Sequence, residues 1–292
     1  MKGGLLIVKS STEKKYVINR VLNHNVVLCY DSILKKEFIL IGKAIGFQKK
    51  AGDLVELNLV TKIYEIKDPS NLSVYETLMS NCDEDIISVS EEIISRLEVR
   101  FGKNYNENLH VSLLDHLKFS IYRYKNNIPV QNIFMEEISS MYSEEYEFAR
   151  EMVGFANEAL NINLPEAEVA FICLHVHSAL HNDTPSNSAL YANMISKCIV
   201  YIENKTKVKL APKSVERQRL ITHLKFAFKR AKEHVFINNP IAKSIKESYP
   251  ETYRVASSLG KMLSEEFGIE LPEGEIGYLA LHIQNILMSG QQ

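Results

Sequence analysis

Four histidines recur as two pairs. HLKFSIYR at 116–123 faces HLKFAFKR at 223–230, and LPEAEVAFICLHVHSA from Leu164 faces LPEGEIGYLALHIQNI from Leu271. Both matches have an offset of 107 residues, so His116 stands opposite His223 and His175 opposite His282. Imidazoles repeated in this way could do three kinds of chemistry. A metal site needs companion ligands. His175 and His177 are two apart and diverge around a helix. His177 and His181 are spaced i, i+4 but without an HExxH pattern, and Gln284 stands where the first copy has His177. The sequence therefore predicts no metal. A general base needs a nucleophile beside it, and no GxSxG, P-loop or GxGxxG motif is present. The third possibility is phosphorylation. Neutral imidazole is a good nucleophile near pH 7, and a phosphoryl group adds nearly two negative charges in one step. Asp115 precedes His116 and could orient it; Thr222 takes that place in the second copy. Arg123 and Arg230 follow the first histidine of each copy by seven residues. They could meet a phosphate or a carboxylate, and a surface ion pair is the simpler expectation.

A second cluster lies in GKAIGFQKKAGD at 42–53. Gly42, Gly46 and Gly52 permit sharp backbone paths, Lys43, Lys49 and Lys50 supply charge, and Phe47 supplies a flat face. Charge beside an exposed aromatic suits unpaired or bulged RNA bases. Asn23 and Asn25 flank a turn and could hydrogen-bond base edges. The plainer reading is equally open: Asn23-His24-Asn25 as a mere hairpin and Phe47 as core.

These residues need elements to position them. YVINRVL, VVLCYD, KEFILIG and LVELNLVTKIYEI are short and β-branched with turn residues between, which predicts four antiparallel strands. About fifty residues in one small sheet bury little surface, so this head is expected to lean on a partner, most simply a second copy of itself. Asp68-Pro69-Ser70 reads as a hinge. Beyond it the repeat extends to Tyr142, Glu144, Tyr146 and Ala149, which recur as Tyr249, Glu251, Tyr253 and Ala256. A single spacing over three patches means two copies of one domain rather than a solenoid. Val169, Ile172, Val176 and Ala179 form one apolar helical stripe, matched by Ile276, Leu279, Ile283 and Ile286. Pro165 and Pro272 fit a first helical turn, with Glu166, Glu168, Glu273 and Glu275 near its positive end. Each copy is thus expected to be a helical bundle of about 100 residues, joined by HNDTPSNS at 181–188.

The whole chain agrees. Its 292 residues allow two or three domains. A hydrophobic share of 46% with 24% charged residues fits a globular chain, with no apolar run long enough for a membrane span or a signal peptide. Cys29, Cys82, Cys173 and Cys198 form no CxxC pair, which argues against disulfides and thiolate zinc and for reduced cysteines in the cytoplasm. The net charge of −2 hides an asymmetry: residues 1–67 hold 12 Lys/Arg against 6 Asp/Glu, and the remainder is acidic. A basic head on an acidic body points to a polyanionic partner.

RVLNHNVV followed by ILIGKAIGFQKKAGD resembles the co-antiterminator RNA-binding domain of the transcription antiterminators of bacterial sugar operons. The duplicated helical unit resembles their phosphotransferase-system regulation domains, with HLKF and LPExE…LHxHSA as hallmarks, so the resemblance covers about residues 16 to 290. LHVHSALHNDTPS and the Gly-Phe loop look most like the glucose-operon branch. The resemblance implies a small antiparallel β-sheet RNA-binding domain followed by two homologous all-α helical bundles. The divisions are 1–68 (with 1–15 as an extension), 69–182 and 183–292. It implies a dimer that binds a leader-mRNA hairpin and prevents a terminator from forming. Phosphorylation is implied at His116, His175, His223 and His282, with the phosphocarrier protein HPr and a sugar-specific permease (enzyme II) as donors. In such proteins, phosphate from the permease on the first domain usually inhibits, and phosphate from the phosphocarrier on the second often activates. RNA contacts are implied for Arg20, Asn25, Gly42, Lys43, Phe47 and Gln48. No cofactor, catalytic residue or turnover is implied, and the protein would be cytoplasmic. Ala44 stands where the family has a glycine, which points to a changed loop path. The competing readings are a DNA-binding regulator with a helical sensor, which the absence of a recognition helix disfavours, and an enzyme using the repeated histidines as acid–base groups.

Overall fold

A computed structural model describes residues 16–65, 77–78, 82–235 and 237–289. The extension at 1–15 and the Asp68-Pro69-Ser70 hinge lie outside these. The head is one antiparallel sheet of β1 (Tyr16–Asn23), β2 (Val26–Asp31), β3 (Lys36–Ile41) and β4 (Lys62–Glu65), in the order β1-β2-β3-β4. Alternation along the strands puts Tyr16, Ile18, Val27, Cys29, Phe38 and Leu40 on one face, where Ile45 and Val55 close the core. Asp31, fully buried, ends β2 by accepting the backbone N–H groups of Ile33 and Leu34.

The fourth strand is shorter than the sequence suggests. Leu54 makes only an isolated bridge to Val17, and Leu57–Leu59 is a 3₁₀ turn. Strand pairing resumes at Lys62. Gly42 explains the detour. A Cβ there would lie 1.9 Å from the Leu59 carbonyl oxygen, so the chain crosses against β3 where only glycine lets two backbones touch.

Helices α1 (Glu84–Phe101) and α2 (Asn108–Lys125) follow, then α3 (Met135–Met141), α4 (Ser143–Leu160) and α5 (Ala167–Leu180). The remaining helices are α6 (Pro185–Thr206), α7 (Val215–Lys232), α8 (Ala242–Ser248), α9 (Pro250–Phe267) and α10 (Glu273–Ser289). The bounds of α2, α3 and α4 reappear in α7, α8 and α9 after the same 107 residues. The breaks between helices repeat as well. Asn161 and Gly268 end α4 and α9 in the left-handed region, at φ 50° and 66°. Tyr142 and Tyr249 hold the preceding break at φ −132° and −130°. The duplication therefore preserves backbone conformation as well as residue types. The link between copies is brief, since Thr184 caps α6 and Pro185 opens it.

The described residues group into two compact units. One holds the sheet, the start of α1 to Glu92, and His110–Lys118. The other holds Ile93–Leu109 and everything from Phe119 onward. In the second unit α4 packs on α5, α9 on α10, and α3 on α5, α6 and α7. Its core includes Phe148 and Phe228, which are equivalent only in depth, not in repeat position.

Candidate nucleic-acid interface and histidine sites

The candidate interface is built at one end of the sheet. The β1–β2 hairpin turns at His24-Asn25, and two backbone bonds tie the 42–53 loop to it: Gly42 N–H donates to Asn25 O at 2.9 Å and Gly46 N–H to His24 O at 2.8 Å. The Asn25 side chain is a strut. Its Oδ1 accepts the Ala44 N–H at 2.5 Å, and its Nδ2 donates to Glu84 Oε2 at 2.8 Å. Ala44 and Gln48 both adopt left-handed backbone, at φ 58° and 56°. The loop thus keeps a conformation suited to glycine while carrying an alanine, at a modest strain.

Phe47 is 51% exposed and meets the His24 ring edge-on, with centroids 5.4 Å apart. The core reading of Phe47 is thereby set aside. Arg20, Lys43, Gln48 and Lys50 are exposed, whereas Lys49 pairs with Glu56 at 2.7 Å. Arg20 follows a bulge in β1, where register shifts between Ile18 and Arg20. Gly42 differs from the others: it is buried, and its evident task is the close backbone approach to Leu59. The hairpin is more than a turn, because Asn25 organises the loop. The Asn23 side chain lies outside the described residues.

The four repeated histidines are all half-buried. His116 lies on α2 in the first unit and His175 on α5 in the second. His223 and His282 lie on α7 and α10 of one unit and stack, with ring centroids 4.7 Å apart and planes at 29°. Both line an open hollow with Arg219, Thr222 and Gln218. Burial, then the nearby His223 and Arg219, push His282 down to about 4. Its imidazole is therefore neutral at pH 7, with an arginine beside it and access from outside: the nucleophilic form with a cation at hand for an incoming anion.

The arginine expectation needs correction. Arg230 Nε lies 2.6 Å from Glu275 Oε1 and its Nη2 3.1 Å from Oε2, a two-pronged contact with a carboxylate only 1% exposed. Arg123 Nη2 reaches Glu168 Oε1 at 2.7 Å, and Ser120 Oγ donates to the other oxygen at 2.8 Å. These are buried pairs repeated in both copies, not surface ones. Glu168 and Glu275 are the partners, a role that their placement near a helix start did not reveal. Burial would raise the Glu275 carboxyl, but His223 and Arg230 outweigh it and hold it below the usual range. His223 Nε2 lies 3.3 Å from Glu275 Oε2, close enough for charge though not aligned as a hydrogen bond. The Arg–Glu pair thus sits directly behind the stacked histidines.

His177 belongs elsewhere. Its Nδ1 is 2.8 Å from Glu145 Oε1, and its ring stacks on Tyr142 at 3.7 Å. His181 joins the same carboxylate at 3.6 Å. Sequence reasoning missed Glu145, which reaches these histidines from α4; no short-range spacing could have found it.

The chain thus joins a sheet bearing an exposed, basic, aromatic-carrying loop to a duplicated helical region with repeated histidines. Residues 4–73 match the CAT RNA binding domain, and residues 91–179 and 196–286 each match the PRD domain. The chain belongs to the family that joins these domains. It is 33% identical to Protein GlcT of Staphylococcus haemolyticus over 272 residues, covering 92% of this chain and 95% of that protein. It is 30% identical to the GlcA/glcB genes antiterminator of Staphylococcus carnosus, covering 95% of this chain and 98% of that protein. The crystal structure of the GlcT CAT-PRDI fragment superposes with a TM-score of 0.52 at 35% identity, covering 57% of this chain and 98% of that one. No helix among the described residues is long and apolar enough to cross a membrane.

Proposed function

We propose that this chain is a transcription antiterminator, a regulator without turnover of its own. A homodimer of residues 1–68 binds an RNA hairpin in a sugar-operon leader and keeps the overlapping terminator from forming. Residues 69–182 and 183–292 are its two regulatory domains, phosphorylated in the cytoplasm on His116, His175, His223 or His282 by the phosphocarrier protein and a sugar-specific permease. The relative named an antiterminator of the glcA and glcB genes supports glucose as the sensed sugar. The observation that carries the reading is Phe47: a half-exposed aromatic, edged by His24 on a loop that also exposes Lys43 and Gln48, in the domain matching an RNA-binding family. Core economy does not explain such a residue, and base stacking does. The stacked His223 and His282 beside Arg219 support phosphate acceptance on the second regulatory domain.

The test compares ligands. The full chain should bind the leader hairpin from its own operon and ignore duplex DNA of the same sequence. Its affinity should fall steeply as salt rises, since Lys and Arg displace counterions from phosphates. Equal binding to duplex DNA would favour the DNA-regulator reading instead.

A further inference from the structure

We propose that Glu145, His177 and His181 form a binding site for a divalent transition metal of the class that zinc represents. One ligand atom from each lies within 4.8 Å of the other two. His177 Nδ1 and His181 Nε2 converge on the same oxygen, Glu145 Oε1, at 2.8 and 3.6 Å, and the two rings are 4.3 Å apart. Two imidazoles and a carboxylate suit a borderline cation, and ions of this class take three protein ligands when a further position stays open. Metal–ligand distances of about 2.0–2.2 Å place ligand atoms roughly 3.3 Å apart in a tetrahedral site. The present separations bracket that spacing. His177 is held by its stack on buried Tyr142, so the adjustment falls to His181, 58% exposed at the end of α5.

The open position faces a cleft of about 700 Å³ lined also by Asp183, Tyr191, Lys225 and Lys229. The Lys225 ammonium, anchored on the Met141 carbonyl at 2.5 Å, opposes a bare dication. It therefore selects an anionic fourth ligand, hydroxide or inorganic phosphate, on the bound ion.

The competing explanation is a simple hydrogen bond that steadies the bundle. The second copy argues against it. Thr252, Gln284 and Met288 stand at the equivalent positions, so all three donors are missing together, yet Tyr249 still matches Tyr142, α9 keeps the bounds of α4, and α10 still forms, running two residues past the equivalent end of α5. The fold does not require this cluster, and only the first copy has it. The site shares no residue with the repeated histidines and does not depend on the RNA reading.

Chelator-treated full-length protein should be titrated with Co²⁺, followed by visible absorption, and then with Zn²⁺ as competitor. The expected result is one Co²⁺ per chain with the intense bands of a low-coordinate site, displaced stoichiometrically by Zn²⁺. His181→Ala, at an exposed helix end, and the near-isosteric Glu145→Gln should each weaken binding at least tenfold, with circular dichroism unchanged; loss of outer partners alone costs about 10–100-fold. Absence of stoichiometric binding, or affinity unchanged in both variants, would overturn the site.

Discussion

Phe47 and Asn25 face opposite demands. Phe47 is exposed where burial would stabilise, and Asn25 spends its side chain on the loop and on Glu84. Phe47→Ala should therefore leave the fold intact and weaken hairpin binding by about 1–3 kcal/mol, the usual worth of one stacked base. A melting curve beside a gel shift separates the two effects, and an unfolded variant would mean that Phe47 is structural. Glu84 places a carboxylate within 2.8 Å of Asn25 Nδ2 and 3.5 Å of His24 Nδ1, beside the surface proposed to meet RNA. Removing that charge by Glu84→Gln should tighten RNA binding several-fold at low salt, with the gain shrinking as salt screens the repulsion; weaker binding would show that Glu84 presents the hairpin rather than guards it. His282 is depressed to about 4 by burial and by His223 and Arg219. A folded base held below its unfolded value of about 6.5 stabilises the fold above that pH, and the stabilisation is lost as pH falls toward 4. NMR titration of its ring should give a midpoint near 4; a midpoint near 6.5 would mean an exposed, ordinary imidazole.

Among the elements, the repeated Arg–Glu pairs tie the helix of the first histidine in each copy to a buried glutamate: Arg123 to Glu168 and Arg230 to Glu275. Removing one partner leaves the other charge buried, which typically costs about 3–5 kcal/mol. Glu275→Gln and Glu168→Gln should both lower the urea midpoint markedly, whereas an effect near zero would return these pairs to the surface class first expected of them. The helices themselves were legible. One offset and one apolar stripe give a bundle duplicated nearly residue for residue, because helical periodicity is local and repeated. The pairing of Arg123 with Glu168 was not, since it joins side chains 45 residues apart and depends on which helices pack together. Strand content was legible too, but β-branched Val55 and Val60 read as strand while Leu57–Leu59 turns. There the tertiary contact at Gly42 overrides local propensity. The Glu145 cluster escaped for the same reason as the arginine pairs: two of its members are visible as i, i+4 histidines, and the third arrives from α4.

For the whole molecule, a basic head is attached to an acidic body that holds the proposed phosphate acceptors. Adding nearly two charges at a histidine already close to Arg219 and to the buried Arg230–Glu275 pair changes the balance of the bundle rather than of one side chain. The reading therefore requires that chemistry on the helical bundles alter what the sheet binds. The most direct measurement is a gel shift of the full chain on its own leader hairpin, before and after phosphorylation by the phosphocarrier protein and by the permease domain. Binding affinity should change at least tenfold with phosphate, and alanine at the phosphorylated histidine should abolish the change. Hairpin affinity indifferent to stoichiometric phosphohistidine would contradict it, leaving an RNA-binding head joined to bundles that do not control it.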